Sequence, residues 1–426
     1  MRQQWFDDAR FGMFVHFGIY SVAARHEWVQ NYERLTEEEY RPYFANFDPD
    51  LFDAGEIART AKASGMGYVV LTTKHHDGFC LFDTKLTDFT SVTACDRDLV
   101  REYVDALRAE GLKVGFYHSL IDWRHPDFTI DWVHPRRDDE NAAALNEGRD
   151  MDRYRAYLHG QVRELLTNYG EIDYLFFDFN YPEHKDGWDG KGPKEWGSEE
   201  LLAMCRELQP NMLVNDRLGI PADFVTPEQY QPTSPLMADG EAQVWEACQT
   251  LNGSWGYHRD NTEQKSSTLL VQMLADSVSM DGNMLLNIGP DGRGAIAPRD
   301  ARTLREIGEW MRLHRQAIVG AGHASFSPPR EGVYTRRGDK LYLHLFSWPL
   351  GFVHLPELAG EVSFARLLND GSWLKTSVTD PDQQASHMTP AGEASGTLTM
   401  HLPVRRPDVL VPVIELTLAA GEQLLR

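Results

Sequence analysis

The sequence predicts an α/β fold, in which a (β/α)8-like TIM barrel is followed by an antiparallel β-sandwich. Short apolar runs alternate with amphipathic helical patterns through residues 1–322, which is typical of βαβ units and a parallel sheet. Each apolar run ends in polar residues, as strands do at the functional end of a barrel. Residues 323–426 show period-two alternation with turn residues between, which indicates a sandwich. We therefore predict a barrel domain at 1–322 and a β-sandwich domain at 323–426.

The clearest predicted strand is an apolar, β-branched run that stops at His75, His76 and Asp77. Strands buried on both faces are expected to be nearly continuous apolar runs. Four further runs stop in the same way, at His16, at Tyr117 and His118, at Asp178, and at Asp216 and Arg217. The predicted strands span residues 11–21, 68–79, 112–119, 172–181, 212–217 and 282–290. Because the carboxyl ends of barrel strands meet at one face, we expect these polar side chains to lie together.

The predicted helices carry apolar residues at helical spacing and have ordinary start and stop signals. Thr36 precedes three glutamates, which indicates a capped helix start, and Gly111 follows the last periodic residue of the helix at 98–110. The other predicted helices span residues 52–64, 154–169, 198–208, 266–279 and 300–319. Residues 122–150 carry little periodicity and are predicted to form a long surface excursion of functional character.

A doubly wound open sheet is the structural alternative. It is disfavoured because no GxGxxG motif follows the first strand, and because the polar strand ends are spread along the chain rather than gathered at one switch point.

Composition excludes several classes of partner. The chain of 426 residues has 42 Lys and Arg against 64 Asp and Glu, a formal net charge of −22. That charge repels phosphate backbones and anionic lipid, so we expect no nucleic-acid and no membrane partner. The four cysteines show no CxxC spacing, and the N-terminus shows no apolar signal segment, so we expect a cytoplasmic protein. A homo-oligomeric assembly is left open.

The residue types at the strand ends suit carbohydrate chemistry. Histidines and Arg217 can bond several hydroxyls, and aromatic residues such as Trp28, Trp245 and Trp255 can pack against a sugar face or a methyl group. Glycoside hydrolysis requires two carboxyl groups. Asp178 ends a rigid strand beside a cation and is the natural nucleophile, whereas Glu228 lies in a predicted loop where a less polar setting would suit a general acid.

Other chemistries fit the sequence less well. His75 and His76 could be metal ligands, but adjacent strand residues point to opposite faces, and no HxH or HExxH is present. A serine nucleophile is not supported, because GxSxG is absent, and the glycine-rich stretch at 289–294 lacks the lysine of a phosphate-binding loop. We predict no metal and no cofactor.

Several stretches together resemble the α-L-fucosidases of glycoside hydrolase family 29. They occur in family order and cover about the first 320 residues: the FGMFVHFGIYS stretch around His16, Glu27-Trp28, LTTKHHDGF at 71–79, Gly115-Phe-Tyr117, YLFFD at 174–178, VNDR at 214–217, Thr226-Pro-Glu228, Trp245-Glu246 and NMLLNIGP at 283–290. The resemblance implies a barrel followed by a sandwich. It also implies removal of terminal α-L-fucose by retaining double displacement without a metal or organic cofactor.

The resemblance further implies residue roles. Asp178 takes the nucleophile position, and Arg217 lies in the pocket. The sugar-binding positions correspond to His16, Glu27, Trp28, His75, His76 and Tyr117. Trp245, whose ring can pack against a sugar, is added to the predicted substrate-binding residues. Glu228 corresponds to the general acid of some members, and because that position moves between subfamilies, Asp223, Asp239, Glu241 and Glu246 stay open as alternatives.

One departure from the family pattern concerns the pocket wall. Many members have a tryptophan near the nucleophile and a glycine just after it, whereas this chain has Phe176-Phe177-Asp178-Phe179-Asn180. We expect a fucosylated small molecule or oligosaccharide as substrate. The rival functions are a barrel glycosidase for another sugar, such as an α-L-galactoside, and a non-catalytic carbohydrate-binding protein.

Overall fold

The computed structural model describes residues 3–238 and 240–419 of the chain. Its central sheet has seven parallel strands: β1 (Phe11–Val15), β2 (Tyr68–Lys74), β3 (Lys113–Ser119), β4 (Tyr174–Asp178), β5 (Leu213–Val214), β6 (Glu246–Thr250) and β7 (Asn283–Ile288). Their spatial order is β6-β7-β1-β2-β3-β4-β5. Six of the seven strands were predicted. The exception is β6, which lies in a part of the sequence that has few apolar runs.

Residues 223–229 complete the barrel between its two edge strands. Isolated parallel bridges join this segment to the end of β5 on one side and to β6 on the other, with Glu228 opposite Cys248. The amide of Cys248 donates to the Pro227 carbonyl at 3.0 Å. Pro227 itself has no N–H to donate, so a continuous ladder cannot form here. The segment therefore occupies the position of an eighth strand, and the predicted (β/α)8-like barrel is confirmed.

Alternation along the strands decides which side chains face the barrel interior. Phe14, Tyr117 and Phe176 belong to one buried cluster inside the barrel, separate from the larger core between strands and helices. Because strand side chains alternate, the residues two positions on from Phe14 and Phe176 also point inward. Those residues are His16 and Asp178, which therefore lie above the interior cluster at the carboxyl end of the barrel.

The helices surround the sheet and begin and end much as predicted. Thr36 and Glu39 form a reciprocal capping box, and Gly111 ends its helix with a φ of 72°. The helices are Gln4–Ala9, Tyr20–Ala23, Val29–Tyr32, Glu37–Ala45, Ala54–Ala63, Ser91–Cys95, Leu99–Glu110, Ala142–Leu145, Met151–Asn168, Pro193–Trp196, Ser198–Leu208, Ser267–Ser279 and Pro298–His314, with 3-10 turns at Pro135–Asp138, Asp216–Leu218 and Arg315–Ala317. No helix among the described residues is both long enough and apolar enough to cross a membrane.

A two-stranded hairpin, Tyr181–Lys185 with Trp188–Lys191, follows the end of β4 and was not predicted. The hairpin is held in place by buried Asp131, which belongs to the long excursion between β3 and β4. The Tyr181 hydroxyl donates to Asp131 Oδ2 at 2.6 Å, and the buried Lys191 ammonium bonds the same oxygen. The excursion and the hairpin are therefore locked together beside the carboxyl end of β4.

The C-terminal part forms two antiparallel sheets around its own hydrophobic core, which confirms the predicted sandwich. One sheet has the strands Gly332–Arg337, Lys340–Leu345, Val413–Leu418 and Val362–Leu367, and the other has Phe352–Leu355, Leu398–His401 and Thr376–Ser377. The Trp310 indole of the last barrel helix donates to the Val411 carbonyl at 2.7 Å, which fastens the sandwich to the barrel.

Candidate active site

A cavity of about 330 Å³ opens at the carboxyl ends of the barrel strands. Nine of the ten residues predicted for the site line it, and they come from different strand ends and loops. The lining residues are Phe14, His16, His26, Glu27, Trp28, Tyr32, His75, His76, Tyr117, Phe176, Asp178, Phe179, Arg217, Glu228, Gln229, Cys248, Gly253 and Trp255. The barrel therefore gathers side chains that are far apart in the sequence, as its strand-end pattern predicted.

Asp178 ends β4, and both of its carboxylate oxygens are engaged. The Tyr117 hydroxyl donates to Oδ2 at 2.8 Å, and Arg217 Nη1 donates to Oδ1 at 3.2 Å. Burial raises the pKa of Asp178 to about 6, and the nearby Glu228 raises it too, whereas Arg217 and the Tyr117 hydrogen bond act to lower it. The carboxylate is thus rigidly placed and is ionised near neutral pH, as a nucleophile must be.

Arg217 connects the two carboxyl groups of the site. It lies on the 3-10 turn that follows β5, and while Nη1 binds Asp178, Nη2 donates to Glu228 Oε2 at 2.9 Å. The same guanidinium donates through Nε to the Thr226 hydroxyl at 2.7 Å and through Nη2 to the Thr226 carbonyl at 3.0 Å. One fixed, planar cation therefore sets the positions of Asp178, Glu228 and the barrel-closing segment.

Glu228 lies at the end of the barrel-closing segment, not in a free loop, and its side chain is 40% exposed. Its setting is more polar than the sequence predicted, because the carboxylate binds Arg217 at the open end of the cavity. The exposed position gives Glu228 access both to the mouth of the cavity and to water.

The alternative acids lie elsewhere where the structure describes them. Asp223 binds Arg206 and the amide of Val214, at the base of the closing segment. Glu246 is buried inside the barrel, where the hydroxyls of Tyr68 and Tyr174 both donate to it. Glu241 is exposed on a short hairpin strand, and Asp239 lies outside the described residues. None of the three described alternatives lines the cavity.

Three histidines form the deep, closed end of the cavity. His16 Nδ1 lies 2.6 Å from Asn287 Oδ1, and His76 Nδ1 lies 2.6 Å from the Ser119 hydroxyl. Burial lowers the pKa of His16 to about 3 and keeps the pKa of His75 and His76 well below the ordinary value. Neutral imidazoles can both donate and accept hydrogen bonds, which suits the recognition of several hydroxyl groups.

Unpaired polar atoms at the same end indicate a polar ligand. His75 Nδ1 is buried and has no hydrogen-bond partner, and the His75 ring is nearly parallel to the Tyr117 ring, with centroids 5.5 Å apart. Glu27 accepts the Gly256 amide at 2.7 Å through Oε2, and burial raises the pKa of its carboxyl to about 7. Buried polar atoms normally have partners, so these groups are ready for hydroxyls of a bound molecule.

Trp245 is the predicted site residue that the structure does not bring to the cavity. Its indole is buried and donates to the Met280 carbonyl at 3.2 Å, and its ring lies where a side chain at Gly282 would otherwise project. Trp255 lines the cavity instead, with its ring 5.2 Å from His16 and 5.9 Å from Phe14. The placement of Trp245 is explained by packing rather than by sugar binding.

Several lining residues were not predicted. Phe14 and Phe176 could have been found from strand alternation, since each lies two residues before a predicted site residue. Tyr32 ends a short helix, Phe179 follows β4, and Gln229 comes two residues after Pro227. No periodic signal exists at any of these three places. Among residues 3–238 and 240–419, no group of three or more His, Cys, Asp or Glu side chains is arranged to hold a metal ion.

Comparisons with known proteins consistently find one family. The family model described as alpha-L-fucosidase matches residues 1–316. Tissue alpha-L-fucosidase from Mus musculus is 30% identical over 407 residues, which cover 87% of this chain and 84% of the relative. The solved structure of alpha-L-fucosidase isoenzyme 1 from Paenibacillus thiaminolyticus is 44% identical with a TM-score of 0.91, and the match covers 98% of this chain and 99% of that one.

A third comparison concerns reaction chemistry. A solved alpha-L-fucosidase of family GH29 from Bacteroides thetaiotaomicron is 27% identical with a TM-score of 0.82, and the match covers 98% of this chain and 96% of that chain. That structure is a trapped covalent intermediate in complex with 2-fluoro-fucosyl fluoride.

Proposed function

Because the chain belongs to the alpha-L-fucosidase family, glycoside hydrolase family 29, we propose that Asp178 and Glu228 are the residues that carry out its retaining hydrolysis of terminal α-L-fucose. The observation that carries this assignment is the bridge made by Arg217. Its two terminal nitrogens hold one carboxyl group buried at a strand end and the other at the open mouth of the cavity. Retaining glycosidases need two carboxyl groups in such unlike settings, one as nucleophile and one as acid and base.

In the first step, a carboxylate oxygen of Asp178 forms a bond to the anomeric carbon of fucose. The bond from that carbon to the leaving oxygen breaks, and Glu228 gives its proton to that oxygen. Tyr117 and Arg217 stabilise Asp178 as the anion before attack. The products of this step are the free leaving group, a fucosyl ester on Asp178 and an ionised Glu228.

In the second step, Glu228 takes a proton from water, and the water oxygen attacks the anomeric carbon. The ester bond to Asp178 breaks and the carboxylate is regenerated, so the two inversions give net retention. The exposure of Glu228 supports this role, because the attacking water must enter from the side that the leaving group has just left. For this chemistry we expect the two carboxyl groups to stand ~5–5.5 Å apart with substrate bound.

The rest of the cavity suits a single deoxy sugar at the end of a chain. The histidines and Glu27 at the closed end can bond hydroxyls, while Phe14, Phe176 and Trp255 supply apolar surface for a methyl group. The volume of about 330 Å³ is at the small end of the usual range for ligand pockets, roughly 300–1,000 Å³. We infer that the enzyme acts on small fucosylated oligosaccharides or glycosides that present fucose at a free end.

The direct test is hydrolysis of a chromogenic α-L-fucoside by the wild type and by Asp178→Asn, with proton NMR of the first sugar released. We expect release by the wild type with the α-anomer appearing first, and a loss of at least 10³-fold in turnover for the variant, as found when groups that act as a unit are removed. Near-normal turnover by Asp178→Asn would place the nucleophile elsewhere, and β-fucose appearing first would exclude retention.

Azide separates the roles of the two carboxyl groups. In Asp178→Ala, azide can enter only from the vacated face of the nucleophile, so the product is the inverted β-fucosyl azide. In Glu228→Ala, an activated fucoside still forms the ester on Asp178, and azide then attacks from the leaving-group side to give the α-azide. If Glu228→Ala gives no α-azide and retains full activity on a fucosyl disaccharide, another residue is the acid.

A further inference from the structure

We propose that Ser119 and Asn287 are positioning residues that fix the ring protons of two cavity histidines, His76 and His16, so that both rings present a bare Nε2 to the sugar. The inference rests on the proposed function, because its consequence concerns the binding of fucose. It adds a requirement that the list of lining residues does not show: two hydroxyls of the sugar must act as hydrogen-bond donors.

The side-chain amide of Asn287 can take only one orientation. Its Nδ2 donates to the Trp255 carbonyl at 2.7 Å, and its Oδ1 lies 2.6 Å from His16 Nδ1. The reversed amide would place two oxygens 2.7 Å apart with no proton between them. Because an amide oxygen only accepts hydrogen bonds, the proton in the contact with His16 belongs to Nδ1. Burial keeps His16 neutral by lowering its pKa to about 3, so its Nε2 carries a lone pair.

The hydroxyl of Ser119 fixes His76 by the same logic. A hydroxyl has one proton, and Ser119 donates it to the Ile121 carbonyl at 2.9 Å. Ile121 is fully buried, and no other group among the described residues donates to this carbonyl. A buried carbonyl without a partner is unfavourable, so the serine proton stays there. Ser119 therefore accepts in its 2.6 Å contact with His76 Nδ1, and the ring nitrogen carries the proton.

The bare Nε2 of His76 lies beside the nucleophile. It is 3.8 Å from Asp178 Oδ2, the oxygen that accepts the Tyr117 hydroxyl. A proton on Nε2 would be attracted to this anion, and the ring would then offer no acceptor to a sugar. Because Ser119 holds the proton on Nδ1, the ring cannot donate to Asp178. Its lone pair is left for a hydroxyl of a sugar bound in the cavity, which His76 lines.

The same hydrogen-bond pattern occurs once more on these strands, away from the sugar. The Thr73 hydroxyl donates to the Tyr117 carbonyl at 2.8 Å and lies 2.9 Å from His118 Nδ1. Unlike His76, His118 is not among the residues that line the cavity, and its buried Nε2 has no partner in the described part of the chain. Thr73 therefore provides a matched control, in which a hydroxyl fixes a ring proton without facing the ligand.

The first test needs no substitution in the proposed residues. Long-range 1H–15N correlation spectra of the full-length enzyme with 15N-labelled histidine distinguish the two tautomers, because a protonated and a bare ring nitrogen resonate far apart. The signals are assigned from the spectra of His16→Gln and His76→Gln. We expect Nδ1–H and a bare Nε2 for both rings. A proton on Nε2 of His16 or of His76 would overturn the assignment for that ring.

The second test measures the binding of L-fucose and of three analogues, in which the hydroxyl at carbon 2, 3 or 4 is replaced by fluorine. Fluorine cannot donate a hydrogen bond, so we expect two analogues to bind the wild type at least tenfold more weakly than fucose. In Ser119→Ala the acceptor for Nδ1 is lost, and the proton of His76 should move to Nε2, toward Asp178. Fucose should then bind more weakly, and the penalty for one of the two analogues should fall to about twofold or less.

Matched variants separate this role from general damage. Asn287→Leu, which keeps the branched shape of the side chain, should reduce the penalty for the other analogue. Thr73→Val removes a hydroxyl with almost no change of volume and should leave all three penalties as in the wild type. Equal weakening of all four sugars by Ser119→Ala would show a structural role only and overturn the proposal. A wild type that neither binds fucose nor hydrolyses a fucoside would instead contradict the proposed function, while the spectra would still report the tautomers.

Discussion

At the scale of single residues, the proposed role of Asp178 as nucleophile predicts the lower pH limit of activity. Its pKa is raised to about 6 by burial, so the carboxylate becomes protonated as the pH falls through that value. A protonated nucleophile cannot attack, and kcat/KM reports the ionisation of the free enzyme. We therefore expect the acid limb of the kcat/KM profile to have a midpoint near pH 6.

Tyr117→Phe should move this limb to higher pH. The hydroxyl donates to the ionised form of Asp178 at 2.8 Å, so its loss removes a contribution that lowers the pKa. Tyr103→Phe is a matched control, because Tyr103 is equally buried but donates to backbone carbonyls. A kcat/KM profile of Tyr117→Phe that coincides with the wild type would show that this hydrogen bond does not control the nucleophile.

The positive φ of Phe179 predicts an unusual order of stability. Phe179→Ala and Phe179→Gly lose the same ring contacts, but only glycine relieves the left-handed backbone. We expect Phe179→Gly to exceed Phe179→Ala in free energy of unfolding by about 1 kcal/mol. At Tyr32, which ends a helix, the usual order should hold, with alanine more stable than glycine. Urea unfolding of the four variants checks both orders, and alanine above glycine at position 179 would show that the left-handed backbone carries no such cost.

At the scale of elements, the barrel-closing segment at 223–229 links architecture to chemistry. It fills the gap between β5 and β6, and it also carries Glu228 and the Thr226 groups that hold Arg217. The Thr226 hydroxyl further donates to Asp216 Oδ1 at 2.9 Å. The closure of the barrel and the orientation of Arg217 therefore depend on the same few residues.

Thr226→Val tests this link with almost no change of volume. The variant removes the acceptor for Arg217 Nε, and hydrogen bonds to charged groups contribute about 1.5–3 kcal/mol. If Arg217 then loses its alignment, kcat should fall by about tenfold or more. Thr226→Ser keeps the hydroxyl and should recover most of the activity. An active Thr226→Val enzyme, or a Thr226→Ser enzyme as impaired as the valine variant, would show that the hydroxyl does not position Arg217.

At the scale of the whole molecule, the sequence predicted what depends on strand periodicity. The ends of β1, β2, β3 and β4 were identified because apolar runs stop abruptly at polar residues, and their convergence follows from barrel topology. The sequence could not show β6, because its buried polar residues Glu246 and Gln249 break the apolar pattern. Their partners, including Tyr68 and Tyr174 for Glu246, lie far away in the chain.

The sequence also could not show that Trp255, rather than Trp245, lines the cavity. Both indoles lie in a part of the chain with few apolar runs, and nothing local distinguishes a core tryptophan from a cavity tryptophan. The difference arises because Gly282 on the chain segment before β7 leaves room for the Trp245 ring. The left-handed backbone of Phe179 was not predicted for a related reason, since a phenylalanine gives no sign in sequence of such a conformation.

Buried ionisable groups make the stability of the folded protein depend on pH in two opposing ways. Ten histidines among the described residues have a lowered pKa: His16, His26, His75, His76, His118, His125, His134, His159, His314 and His344. Below their ordinary pKa of 6.5, the unfolded state binds more protons than the folded state, so stability is lost as the pH falls. Seven carboxyls among the described residues have a raised pKa and act in the opposite direction. They are Glu27, Asp77 and Glu246, with pKa values raised to about 7, Asp178, raised to about 6, and Asp7, Asp276 and Asp300.

The variant Glu246→Gln measures how much one of these carboxyls contributes to the pH dependence of stability. The pKa of Glu246 is raised from 4.5 to about 7 by burial, so between those values the folded state holds a proton that the unfolded state has lost. Glu246 therefore contributes a loss of stability as the pH rises from 4.5 to 7, and the variant, which resembles the protonated form, lacks this contribution.

We expect the difference in free energy of unfolding to move in favour of Glu246→Gln by at most about 3 kcal/mol over this range and to be constant above pH 7. Urea unfolding at pH 5, 6, 7 and 8 measures it, with Glu241→Gln, at an exposed position, as the control. A difference for Glu246→Gln that does not change with pH would mean that the barrel interior holds this carboxylate ionised, with the two tyrosine hydroxyls stabilising its charge.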